Sequence, residues 1–184
     1  STAVGAFALA TGSKDSALLI TLPTGSYTAQ ITGPGTTTGI ALAEIYDAQP
    51  KQTAYRLMNA SARAQVGVGG SILIAGFTLS GNLPTKVLIR GIGPSLSAYG
   101  VTGVLANPRL EVYRGAEKVF ENDDWGGTAA LTTAFQQAGA FALPTASSRD
   151  AALLLNLPAG SYTAQVSGVN ATTGVALVEI YEVP

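Results

Sequence analysis

The sequence predicts an all-β protein: a β-sandwich of jelly-roll or Greek-key type, preceded by an additional N-terminal half-repeat of strands. Three observations point there. Short apolar runs recur at close spacing with Gly, Pro or Asn between them, the punctuation of many short strands. A stretch near the N-terminus returns at the other end: Gly5–Asp47 aligns with Gly139–Glu182 at roughly 28 identities once one residue is inserted near Ser148. Finally, 47% of the 184 residues are hydrophobic and only 11% are charged, with the apolar residues spread along the chain.

In chain order, "ALLITL" (Ala17–Leu22) is an apolar run stopped by Pro23 and then Gly25, a turn signal. "SYTAQI" follows and alternates, with Tyr27, Ala29 and Ile31 on one face and Thr28 and Gln30 on the other. "GIALAEIY" is apolar on both faces, as in a strand covered on both sides. The loop before it, "GPGTTTG", suits a hairpin. The polar stretch "DAQPKQT" (Asp47–Thr53) reads as a joint, dividing the chain into an N-terminal half-repeat, 1–50, and a complete sandwich module, 51–184. In that module "RLMNASARAQVGVG", "SILIAGFTLSG", "TKVLIRGIG", "RLEVYRG" and "EKVFEND" are candidate strands. Short helices are expected at Pro94–Tyr99 and Thr128–Gly139. "AALLLNL" and "GVALVEIY" then repeat the first strands. With the duplicated piece named the back half and the unduplicated piece the front half, the order is back, front, back.

Composition narrows the function classes. A net charge of −1 gives no footprint for nucleic acid. No run approaches the roughly 18 apolar residues of a membrane-spanning helix, and most strands are shorter than the roughly 9–11 residues of a transmembrane barrel, so membrane insertion is not expected. Cysteine and histidine are both absent. That removes thiolate chemistry, the commonest transition-metal ligand and any Ser-His-Asp triad. No pair of carboxylates stands out for glycoside cleavage, and the chain reads as a non-enzyme.

The segment Ser61–Glu182 resembles a repeat module of large secreted bacterial surface proteins. The likeness is carried in order by a Gly-rich opening, "LIRGIGPSL", an Asn-Asp-Trp turn and the closing "GSYTAQVSGVNATTGVALVEIYE". The closing part is more distantly similar to prepeptidase C-terminal domains, which are small β-sandwiches. The resemblance implies an exported, non-catalytic structural or accessory role, extracellular or on the bacterial cell surface.

Four places hold candidate site residues. "ENDDWGG" sets Asn122, Asp123 and Asp124 on one turn, oxygen donors that suit calcium, with ordinary Asx-turn chemistry as the plainer reading. Trp125 beside them is a candidate for stacking on a sugar, against a plainer place in the core. Asp15 and Asp150 each precede an apolar strand and read as turn caps or partners of a nearby cation. "RGIGPSLSAYG" is faintly like a phosphate loop, but Pro94 and the strand context favour a structural turn.

The fourth is the N-terminal half-repeat. At about 45 residues it is too small to fold unaided, and its apolar strands need cover. Leu18, Ile20, Leu22, Tyr27, Ile31, Ile40, Leu42 and Ile45 are the candidate assembly interface. The leading expectation is a secreted structural subunit whose partner is itself, joined head to tail by β-strand complementation into a filament or surface layer. The alternative is an adhesive or carbohydrate-binding module, with surface glycans as partners. No cofactor is expected beyond the calcium weighed above.

Overall fold

Among the described residues eight strands alternate apolar and polar, or run apolar throughout, and two sheets form from them. The computed structural model describes residues 6–37, 39–48 and 57–184. The chain divides into two units, Ser1–Leu57 and Met58–Pro184. The joint read at Asp47–Thr53, and the boundary between 50 and 51, falls largely outside the described residues.

Within the second unit the strands are β1 (Asn59–Val66), β2 (Leu73–Leu79), β3 (Thr85–Ile92), β4 (Pro108–Arg114), β5 (Glu117–Asn122), β6 (Ala151–Leu157), β7 (Gly160–Gly168) and β8 (Gly174–Glu182). One sheet has the order β1-β8-β3-β6 and the other β2-β7-β4-β5, with all ladders antiparallel. The ladders 1·8, 2·7, 3·6 and 4·5 are those of a long two-stranded ribbon rolled up on itself, the jelly roll. The expected β-sandwich is thus present in the second unit.

Side-chain alternation sends Val87 and Ile89 of β3, Tyr162, Ala164 and Val166 of β7, and Ala176, Val178 and Ile180 of β8 into the core between the sheets. Leu88 and Ile92 of β3 point to the other face of the first sheet, as does Ala152 of β6. They pack there under a helix, α1 (Ala129–Ala138), which buries Leu131, Ala134 and Phe135. Thr128 caps α1, its hydroxyl accepting from Leu131 N at 3.4 Å, and Gly139 ends it in the left-handed conformation at φ 68°. Pro94–Tyr99 is a 3-10 helix, as the sequence indicated. β8 is therefore apolar on both faces because both are covered, one by the opposite sheet and one by α1 and its neighbouring loops.

One connection differs from its expectation. The Gly/Thr-rich loop before β8 is not a hairpin, because β7 and β8 lie in different sheets. It is a corner in which Asn170 and Ala171 take left-handed φ of 55° and 56°.

β6 pairs with β3, β7 with β2 and β4, and β8 with β1 and β3. No strand of the back half pairs with another strand of the back half. Every ladder hydrogen bond it makes goes to the front half.

This accounts for the first unit. The strands expected between Ala17 and Tyr46 are not formed: among the described residues 6–37 and 39–48 none is in a strand. A back half has no ladder of its own to form, and the equivalent places beside β1–β4 are held by β6, β7 and β8.

Candidate functional site

Two charged side chains interrupt otherwise apolar strands: Arg90 in "VLIRGI" and Glu179 in "VALVEIY". They are direct register partners on β3 and β8, on the face of the sheet beneath α1. Arg90 is wholly buried, and its Nε donates to Glu179 Oε2 at 2.8 Å while Nη2 donates to the same oxygen. Nη1 donates to the Phe141 carbonyl at 2.6 Å, and the guanidinium lies 4.2 Å from the Phe141 ring centroid and 4.9 Å from that of Phe135. The Tyr181 hydroxyl donates to Glu179 Oε1 at 2.8 Å. Burial and then the charge of Glu179 push the Tyr181 hydroxyl above the ordinary tyrosine range. Such a pair, taken out of water, holds only while each hydrogen-bonding atom is matched.

A second buried carboxylate, Asp150, stands immediately before β6 and reaches the turn that follows β3. Asp150, fully buried, accepts from Gly93 N at 2.8 Å and Ser95 N at 3.3 Å, and also from the hydroxyls of Ser95 and Ser148. It ties the "GIGPS" turn to the start of β6. Gly93 has to be glycine, since a Cβ there would run into the Leu105 carbonyl. The turn-capping reading of Asp150 is the one seen, and the "RGIGPSLSAYG" loop serves as its receptor.

The Asn-Asp-Trp turn is stitched to the same strand start. Asn122 Oδ1 accepts from Ala152 N at 3.0 Å, Asn122 Nδ2 donates to the Asp124 carbonyl at 2.9 Å, and Trp125 N donates to the Asp150 carbonyl at 2.9 Å. Asn122 is thus a structural clamp with its side-chain oxygen engaged, while Asp123 and Asp124 are exposed. Among the described residues no group of three or more Asp or Glu side chains comes together to hold a metal ion. Trp125 is only 7% exposed, packs 5.5 Å from Phe135 and donates Nε1–H to the Thr145 carbonyl at 3.0 Å. The ring is enclosed rather than presented, the core position weighed for it beside sugar stacking.

The eight candidate assembly residues map onto core positions of the C-terminal copy. Leu18, Ile20, Leu22, Tyr27, Ile31 and Ile45 correspond to Leu153, Leu155, Leu157, Tyr162, Val166 and Ile180, which line or abut the inter-sheet core. Ile40 and Leu42 correspond to Val175 and Leu177, packed on the other face. In the N-terminal copy all eight are exposed: Ile31 at 57% against 0% for Val166, Tyr27 at 55% against 4% for Tyr162.

The local hydrogen bonds of the two copies are nonetheless the same. Tyr27 OH donates to the Pro23 carbonyl at 2.9 Å, as Tyr162 OH does to Pro158 at 3.0 Å. Thr37 donates both N–H and hydroxyl to the Pro34 carbonyl, as Thr172 does to Val169. Tyr46 OH donates to Glu44 as Tyr181 does to Glu179. Gly35 takes the left-handed φ of 62° that Asn170 takes at 55°. Corners and turns are formed in the first unit, while the ladders are missing.

Sequence reasoning singled out Asp15 and Asp150 but passed over Arg90, Glu179 and Glu44. The signal for those was present: a lone charge inside an apolar strand needs a buried partner. No protein family, curated protein or solved structure matches the chain.

Proposed function

We propose that the chain is a non-catalytic structural subunit of an extracellular or cell-surface assembly. The N-terminal half-repeat of one copy pairs its strands with a neighbouring copy. Repeated head to tail, such a contact gives a filament or layer unless its rotation happens to close a ring. One observation carries this reading: a back half whose counterpart makes every ladder bond with the front half stands with its core-forming side chains exposed. Exposed apolar segments without a ladder of their own are the donor element of β-strand addition. The likeness of Ser61–Glu182 to modules of secreted surface proteins supports the location, and the low charge supports burial between subunits.

The test compares the full chain with one lacking residues 1–50, by light scattering and negative-stain microscopy over a range of concentrations. Polymers from the full chain alone are expected. A full chain that stays monomeric at high concentration, or a truncated chain that assembles equally well, overturns the reading.

A further inference from the structure

The side-chain hydrogen bonds of Arg90 and those that Asp150 accepts from Gly93 and Ser95 all run between the front half and the duplicated piece. Arg90, Gly93 and Ser95 belong to the front half. The groups that satisfy them are the Phe141 carbonyl and ring, Asp150, Glu179 and Tyr181, all in the duplicated piece. The N-terminal copy carries each of these again, as Phe7, Asp15, Glu44 and Tyr46. Phe7 is 58% exposed, and among the described residues the Glu44 carboxylate has the Tyr46 hydroxyl as its hydrogen-bond partner. The polar groups matter more here than the apolar ones. Apolar strands join many surfaces, whereas a buried Arg accepts only a strand that places a carboxylate opposite it.

We infer that this polar seam is the recognition site through which the N-terminal half-repeat of one copy enters another. Glu44 takes the place of Glu179 on Arg90, and Asp15 that of Asp150 on the Gly93 and Ser95 N–H groups. The inference rests on the self-assembly reading above and specifies its route, strand exchange into the jelly roll rather than addition along an outer edge. Residues 1–184 hold two back halves and one front half, so an exchange at this site frees the C-terminal copy that held it.

The resident copy fits its site better, which keeps the exchange reversible. Ser16 stands where the core has Ala151, bringing a hydroxyl to a fully buried place. Ala43 stands for the fully buried Val178 and leaves a cavity. Ile31 stands for the fully buried Val166 and adds a methylene to a packed core position.

The experiment uses the full chain, which has no cysteine of its own. Arg63 and Leu177 are register partners on β1 and β8, and Leu177 corresponds to Leu42. Cross-strand Cα separations of about 4.5–5.5 Å lie within disulfide range. Arg63→Cys combined with Leu42→Cys therefore forms a bridge between chains under mild oxidation only when the N-terminal copy occupies the place of β8. Single-cysteine variants set the background.

The bridged fraction is expected to exceed that background. It should rise about tenfold when Ser16→Ala and Ala43→Val are added, which corresponds to ~1.4 kcal/mol of improved fit. It should fall to background with Glu44→Gln and Asp15→Asn. These four substitutions lie in the first unit and leave the jelly-roll sequence intact. Polymers without the bridge, bridging confined within single chains, or bridging indifferent to Glu44→Gln overturns the inference. The first of these leaves the self-assembly reading standing. Bridged pairs without polymers do the reverse, upholding the recognition site and sinking the filament.

Discussion

Arg90 and Glu179 form an ion pair that the jelly roll can lose together far more easily than singly. Replacing Glu179 by Leu leaves a buried guanidinium facing apolar atoms, with an expected cost of about 3–5 kcal/mol. Replacing Arg90 by Met in the same chain should recover most of that, since apolar groups of similar volume then fill the seam. Urea denaturation of the four chains of this cycle measures the coupling. Near-additive losses would show that the two side chains do not act as a pair. Tyr181 gives the seam a pH dependence. Its folded-state value is raised above the ordinary 10.0, by burial and by Glu179. The stability it contributes is therefore complete below about pH 10 and lost as the pH climbs through the folded value. Tyr181→Phe should lose stability less steeply above pH 10 than the unaltered chain. Equal slopes in alkaline denaturation series would remove this role.

At the level of elements, the back half is the unit to explain. Among the described residues all eight strands lie within 59–182, so a chain lacking residues 1–50 should keep its stability, read by urea denaturation, within the ordinary scatter of surface changes, about 0.5 kcal/mol. It should also bind far less of a hydrophobic dye such as ANS. A marked drop in midpoint would mean that the first unit props up the second.

The sequence displayed much of this. Runs such as "SILIAGFTL" and "TKVLIRGI" announced their strands through alternation and Gly punctuation. Thr128 and Gly139 marked the ends of α1 as cap residues do. What could not be read was pairing. Nothing in "GSYTAQV" followed by "GVALVEIY" says that consecutive strands part into different sheets, because the corner at Asn170 uses the same Gly, Asn and Thr that a hairpin would. The seam was hidden for a related reason. Arg90 and Glu179 are 89 positions apart, and only the register of β3 against β8 brings them face to face. Trp125 and Asn122 were legible as a turn but not as buried or engaged, since burial depends on what folds over them.

For the whole molecule, the jelly roll sets the order in which structure can appear. Take away β6, β7 and β8, and the front half keeps a single ladder, β4 with β5. β8 joins β1 to β3 and β7 joins β2 to β4, each as an inner strand of its sheet. As the second unit leaves the ribosome N-terminus first, it therefore has one hairpin of sheet, β4 with β5, until β6, β7 and β8 emerge. Closing such distant pairings is slow in any event. Throughout that interval the other copy of the matching segments, residues 17–46, has already been made on the same polypeptide. Which copy ends beside Arg90 is then a matter of timing as well as of fit.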